Sequence, residues 1–202
     1  VYEGMFCDES YHGTGIYRFR DGSTYEGHWH RGSRYGHGHF RFPGDEEKEL
    51  PAWTYEGGFN ADKLHGNGVL TKADGSTYIG QFYYDKQQGV GILISTLRDV
   101  YKGQILDGVK HGVGELLYAD GSRHIGNFKN GKRHGKGIFK DAGGNQYYGH
   151  FIEEYMHGEL VVKEIIPVEE EGQRNFEIRI GVYDMGKFIK WKLKYSNPQV
   201  SI

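Results

Sequence analysis

Apolar and polar positions in this chain recur by register. With Tyr2 as position 0, equivalents follow at Tyr25, Tyr55, Tyr78, Tyr101, His124 and Tyr147, at spacings of 23, 30, 23, 23, 23 and 23 residues. Position +2 is glycine in every repeat: Gly4, Gly27, Gly57, Gly80, Gly103, Gly126 and Gly149. Position +4 is Phe6, Trp29, Phe59, Phe82, Ile105, Phe128 and Phe151. Position +11 is again always glycine, from Gly13 to Gly158, and +13 is glycine except at Leu160. Position +15 is apolar throughout: Tyr17, Phe40, Leu70, Leu93, Leu116, Phe139 and Val162.

Parity turns these columns into a fold. Side chains alternate along a strand, so 0, +2 and +4 share one face, and +11, +13 and +15 share a face of the following strand. A glycine on that face leaves room for a neighbouring ring to lie flat on backbone. Each repeat therefore predicts a β-hairpin turning near +6 to +9, where Asp107-Gly108 and Asn130-Gly131 are type I′ pairs. A second turn near +19/+20 joins one repeat to the next, through Asp21-Gly22, Asp74-Gly75, Asp120-Gly121 and Gly143-Gly144. The expected fold is all-β: an elongated, single-layer, twisted β-meander of about seven full hairpin repeats and a degenerate capping hairpin, in which repeats touch only their neighbours.

Two segments interrupt the pattern. Residues 43–51, PGDEEKELP, form an acidic insertion at an inter-repeat turn, and residues 164–175 read as a second acidic loop containing Glu169, Glu170 and Glu171. Beyond it, residues 176–202 read as the cap and tail, because Gly181, Tyr183 and Gly186 match +2, +4 and +7 of a unit starting at Arg179. The repeat array itself spans 1–163. The chain begins at Val1, without an initiator Met and already inside a repeat, which reads as a piece of something longer.

Composition narrows the class. Hydrophobic residues make up only 37%, too few for a thick two-layer core, while 15% aromatics and 33 glycines suit thin sheet with rings over backbone. A net charge of −2 gives no electrostatic case for nucleic acid. The single cysteine, Cys7, excludes an internal disulfide and fits a reducing compartment. No apolar run approaches membrane-spanning length.

Tyr25-Glu26-Gly27-His28-Trp29, Lys110-His111-Gly112-Val113-Gly114 and Asp74-Gly75-Ser76-Thr77-Tyr78 together resemble the MORN repeat, the "membrane occupation and recognition nexus". The resemblance is strong over residues 2–162 and weak in the tail. It implies a sheet without catalytic residues of its own and a scaffold role in cilia, radial spokes among them, in cytoskeletal structures or at membrane contacts. It also implies that such arrays occur as appendages of enzymes such as lipid kinases and lysine methyltransferases. Departures are Leu97-Arg98 for Asp-Gly, Gln88 for His, Ile105 for the aromatic and His124 for Tyr. These read as local bends or weaker stretches.

Candidate chemistry is sparse. His12, His65, His111, His134 and His157 all occupy position +10, two strands apart and about 9–10 Å from one another, too far to share a metal with ligand distances of about 2.1 Å. His28, His30, His37 and His39 fall in one hairpin, where a zinc site of two to four histidines competes with a solvated face. Glycine pairs such as Gly13-Thr14-Gly15 precede no helix, as a nucleotide loop requires. No nucleophile–base pair and no cofactor motif stands out. The basic cluster Lys129, Lys132, Arg133, Lys136 and Lys140 suits an acidic partner or anionic lipid, or is a solvated face.

The leading binding candidate is an aromatic stripe of Tyr25, Trp29, Tyr55, Phe59, Tyr78, Phe82, Phe128, Tyr147 and Phe151. On a one-layered sheet it is expected to stay partly open and take a helical or extended partner segment; the alternative is that the rings only seal the sheet against its own glycines. The expectation is a non-catalytic scaffold, cytoplasmic and at cytoskeleton or cilium/axoneme. Self-association through open terminal strands and recruitment to phosphoinositide-bearing membrane are further expectations.

Overall fold

The computed structural model describes residues 1–166 and 175–196, and all regular structure among them is β-strand. The strands are β1 (Tyr2–Cys7), β2 (Ser10–Arg18), β3 (Thr24–His30), β4 (Ser33–Phe42), β5 (Trp53–Asn60), β6 (Lys63–Lys72), β7 (Thr77–Tyr83) and β8 (Lys86–Ile94). They continue as β9 (Val100–Leu106), β10 (Val109–Leu117), β11 (Arg123–Lys129), β12 (Lys132–Lys140), β13 (Gln146–Ile152), β14 (Tyr155–Ile166), β15 (Asn175–Asp184) and β16 (Lys187–Ser196). Sheet order follows chain order from β1 to β16. The fold class is the all-β antiparallel meander that the register predicts. The chain divides into two compact units: Val1–Arg98 with Ile105–Gly108, and Asp99–Gln104 with Val109–Ile202.

One arrangement repeats in both units. Between hairpins, Tyr17 pairs with Tyr25, Gly15 with Gly27 and Gly13 with Trp29. Within the next hairpin, Tyr25 pairs with Phe40 and Gly27 with Gly38, after which the register shifts before Trp29 meets Arg34. The ring at position 0 lies across the glycine pair of its own hairpin. A Cβ on Gly27 would fall 2.6 Å from the Tyr25 hydroxyl oxygen and 2.5 Å from the Gly38 Cα, so any larger residue forces ring or strand to move. The hydroxyl then donates to the carbonyl three residues on: Tyr2 to Met5, Tyr25 to His28 and Tyr55 to Gly58 at 2.9 Å, Tyr78 to Gln81 and Tyr101 to Gln104 at 2.8 Å. Ring and hydroxyl are thus both satisfied where sheet backbone is otherwise bare.

The two glycine columns of the second strand serve different ends. Position +13 gives space, as expected. Position +11 lies under no tyrosine ring: a Cβ there meets a flexible side chain at Gly89 (Gln81) and Gly112 (Gln104), and nothing within 4 Å at Gly66. Its φ is +76°, and the +11 column as a whole lies in the left-handed region, from +57° at Gly112 to +84° at Gly89. These glycines carry the bulge that shifts the hairpin register, and a side chain there meets backbone strain instead of a ring.

Hairpin tips tie each repeat to the one before. The N–H at +7 donates to the carbonyl at +9 of the preceding repeat, as in Gly32 to Tyr11, Asp62 to Arg34, Asp85 to Leu64, Gly131 to Lys110 and Glu154 to Arg133, at 2.9–3.1 Å. Where +7 is acidic rather than glycine, the backbone is held at positive φ, 66° at Asp62 and 84° at Glu154. The carboxylate there accepts the N–H of the same +9 residue: Asp62 from Arg34 and Asp85 from Leu64 at 2.9 Å, Glu154 from Arg133 at 3.0 Å. That second bond offsets the strain that glycine avoids.

Beyond Val162 the pairing keeps the same register: Gly158 opposes Tyr183, Leu160 opposes Gly181 and Val162 opposes Arg179. Gly186 donates to Met156, the tip-to-bulge bond again. The acidic stretch read as a loop over 164–175 is strand at both ends, Glu164–Ile166 in β14 and Asn175 in β15. Pairing continues there because Ile165 faces Phe176. Glu169, Glu170 and Glu171 lie outside the described residues. In the insertion, Asp45 and Leu50 form a bridge and Lys48 pairs with Asp45 at 2.6 Å. At Leu97-Arg98 the turn survives without its glycine: Arg98 takes φ +72° and donates its N–H to Ser95 at 3.0 Å.

The glycine columns make a quantitative prediction. Gly68 lies under the Tyr55 ring, whereas Gly75 (φ +82°) has open space around it. Gly68→Ala is expected to cost about 3 kcal/mol by overpacking, and Gly75→Ala only about 1 kcal/mol of left-handed backbone strain. Urea unfolding of the two variants checks this; equal losses would refute the division of roles.

Candidate functional site

The aromatic stripe is core. Tyr25, Trp29, Tyr55, Phe59, Tyr78, Phe82, Phe128 and Phe151 are all buried, none more than 6% exposed. This corrects the expectation of an open aromatic groove, and the reason is a shingled packing of edge-to-face rings. Tyr25 meets its own Trp29 at 5.1 Å and Phe59 of the next repeat at 5.0 Å. Tyr55 meets Phe59 at 5.2 Å and Phe82 at 5.0 Å. In the second unit Tyr101 meets Phe128 at 5.0 Å and His124 meets Phe151 at 4.7 Å. In some repeats a cation at +9 covers the ring face. The Arg34 guanidinium stands 5.7, 5.2 and 5.3 Å from the Tyr25, Phe40 and Phe59 rings and pairs with Asp62 at 3.2 Å. Arg133 does the same over Phe139 and Phe151 and pairs with Glu154 at 2.8 Å. Burial raises the Tyr25 hydroxyl to about 12, and Tyr101 likewise.

Tyr147 is the exception, half-buried. Leu160 stands at +13 where other repeats have glycine, and its side chain fills the space above Gly149 that a ring would use. Tyr147 reaches instead toward Asp141, at 3.4 Å. Burial and that carboxylate together push its hydroxyl up to about 12.

The histidines do not converge on a metal-ligand set: no group of three His, Cys, Asp or Glu residues suited to a metal occurs among the described residues. His28 Nδ1 faces the His37 carbonyl at 2.9 Å, His37 stands 3.7 Å from Glu56, and His30 packs against the His12 ring at 5.3 Å. His39 is paired across strands with Glu26 and Glu56. The +10 column packs on the following hairpin tips, with His157 Nδ1 3.3 Å from Asp184 and His134 Nδ1 3.9 Å from Glu153. The basic cluster is divided: Arg133 turns into the ring face, and Lys132 pairs with Glu153 at 2.8 Å.

The opposite face carries a row of its own, which the aromatic and glycine columns do not reveal. Positions +1 and +14 form one cross-strand row there, and in the second unit it is apolar from Ile125 onward, after Glu115: Ile125 opposes Ile138, Ile138 opposes Tyr148, Tyr148 opposes Val161, and Val161 opposes Ile180. Ile180 opposes Leu193 in turn. Ile125, Ile138, Tyr148 and Val161 are 38%, 39%, 37% and 42% exposed. Beside the row, Ile125, Gly126, Lys136, Gly137, Ile138, Gly149 and His150 line an open depression of about 380 Å³. The sequence held a signal in its +1 and +14 columns, but Glu26, His39 and Glu56 interrupt the row in the first unit before Val69, Ile79 and Ile92 resume it.

An open all-β array that spends its rings on its own packing is, by class, a repeat-type interaction module. The chain belongs to the MORN-repeat family: the MORN repeat model matches residues 2–24, 25–45, 55–77, 78–96, 101–123 and 124–146. No curated protein matches the chain. MORN repeats are protein- and membrane-interaction repeats, and theirs is not a known enzyme family.

His124 shows what the tyrosine contributes. It is fully buried in the slot of position 0, and neither ring nitrogen has a hydrogen-bond partner. Burial first, then the nearby Arg133 and Lys110 charges, depress its pKa to about 3. A folded pKa below the unfolded value of about 6.5 means that the unfolded chain takes up the proton first, so stability falls as pH drops from about 6.5 toward 3. His124→Tyr restores a donor toward the Asn127 carbonyl. It is expected to add about 1–2 kcal/mol at pH 7 and a larger margin at pH 4.5. Urea midpoints at both pH values test this; a variant no more stable than the parent, or with the same margin at both, would contradict it.

Proposed function

We propose that the chain is a non-catalytic protein-interaction scaffold, a structural component of a cytoskeletal or ciliary assembly of the axonemal, radial-spoke-like kind, working in the cytoplasm. The observation that carries the interaction role is the apolar row Ile125–Ile138–Tyr148–Val161 left open on the second unit. Exposed contiguous apolar surface rimmed by polar groups is what interfaces use. On the ring side the rings are already spent on one another. Lys140 lies beside the row opposite Arg123, and Lys136 on its other side opposite His150. The fitting partner is therefore an amphipathic segment with acidic flanks. Residue resemblance to the MORN scaffolds of cilia and cytoskeleton supports the placement.

A membrane is the competing reading, favoured by the same lysines. Against it, Arg123 is neutralised by Glu115 at 2.8 Å, Lys192 pairs with Glu159, and the whole chain is at −2.

Carbodiimide crosslinking in native extract joins lysines to partner carboxylates and tests the reading directly. Crosslinks are expected at Lys136 and Lys140, lost in Ile138→Asp while the unfolding midpoint shifts by only about 1 kcal/mol. Crosslinks that persist in Ile138→Asp, or salt-sensitive flotation with anionic vesicles in their place, would overturn it.

A further inference from the structure

The spacing of the open row selects what lies on it. From β11 to β16 each strand contributes one apolar residue: Ile125, Ile138, Tyr148, Val161, Ile180 and Leu193, each directly opposite the next. Opposed residues on neighbouring strands stand one strand separation apart, so these anchors recur about every 4.8 Å and the row runs about 24 Å across the strands. A segment laid along it must present an apolar side chain at nearly that interval. An extended chain repeats the same face only about every 6.8 Å and loses register by about 2 Å at each step. An α-helix repeats about every 5.4 Å and slips only about 0.6 Å per strand. Over the whole row that slip reaches about 3 Å, still within the reach of one side-chain contact. The first unit has no track of this length: Val69, Ile79 and Ile92 cover three strands after Glu56. That distance is about 10 Å, under two helical turns.

Neighbouring groups supply a seat and a charge. The depression of about 380 Å³ has Ile125 and Ile138 along one side and Lys136 and His150 along the other. Its floor is the line Gly126, Gly137 and Gly149, each opposite the next. A Cβ on Gly126 or Gly137 would point at His124 on the ring side, so the floor is bare backbone. One large apolar side chain of the occupant enters there. Lys136 and Lys140 flank the row and are exposed, and neither makes an ion pair among the described residues. The acids in line with these positions are taken. Glu115, opposite Ile125, is held by Arg123, and Glu159, in the same column as Lys136, is held by Lys192. The unspent charge beside the row is therefore positive, and it complements carboxylates.

Resting on the row as the interface, we propose that its occupant is an amphipathic α-helix of a partner protein, about four to five turns long. The helix lies across the strands, with one apolar residue per turn on the row and acidic residues toward Lys136 and Lys140. It does not add a strand to the sheet.

A random phage-displayed library of peptides about 18 residues long, enough to span the row as helix, is the probe. It is selected on the whole chain and counter-selected on Ile138→Asp, so that retained clones bind the row. These clones are expected to carry apolar residues three or four positions apart with Asp or Glu between them. They are expected to gain helical circular dichroism on binding. Lys136→Gln together with Lys140→Gln weakens them about tenfold, and Ile79→Asp in the shorter row leaves binding unchanged. Should Ile138→Asp fail to fold, Ile125→Ser takes its place. Retained clones with apolar residues at every second position and no helical signal would overturn the helix while leaving the row as an interface. Clones indifferent to both row variants, no enrichment, or binding confined to anionic vesicles would overturn both.

Discussion

Everything in this fold depends on a ring laid across a pair of glycines. A single sheet has no second layer to bury its face, so each hairpin must supply its own cover. The tyrosine at position 0 does this within one repeat, lying on the backbone of two strands with its hydroxyl returned to a carbonyl of its own strand. Once that ring is in place it becomes the wall against which the next repeat's +4 ring packs edge-on. Core and repeat junction are therefore the same contact. A larger residue at either glycine displaces the ring, as Leu160 does to Tyr147, and the following hairpin must bring its +4 ring to the same wall.

This economy decides where function is able to reside. Rings that hold the array together are not free to hold a partner, and where +9 is arginine its guanidinium and acidic mate cover more of that side. What varies between repeats without disturbing the stack is free to specialise: the +1 and +14 row on the opposite face, and the local departures around residues 43–53. The first varies from Glu26, His39 and Glu56 in some repeats to Val69, Ile79 and Ile92, or Ile125, Ile138 and Tyr148, in others. The second combines an insertion, Trp53 and the depression that Leu64 and Leu70 line beside it.

How much of this was readable beforehand follows from what a column of letters encodes. The tyrosine, +2 glycine and +13 glycine columns predicted a hairpin array, because alternation fixes which side chains share a face. The letter glycine does not say whether it is needed for space or for backbone, and only the positive φ of the +11 column distinguishes it from +13. Nor does alternation say whether a face is open, and Tyr25 and Tyr55 therefore read as a groove when they are shut. His124 looked like a weak point; it fits the slot without a bend and costs stability through two orphaned nitrogens. The depression beside Trp53 is not legible in any one column because its walls come from separate strands and a loop.

Hydroxyl-radical footprinting of the folded chain tests the central claim most directly, since it reports ring by ring which aromatics solvent reaches. Tyr25, Tyr55, Tyr78 and Tyr101 should be protected to the level of a globular core, while Tyr35, Tyr83, Tyr148 and Tyr155 react freely. Labelling of Tyr25 and Tyr55 as fast as Tyr148 in the folded chain would contradict the account, for the rings would then be the open groove and not the structure that closes it.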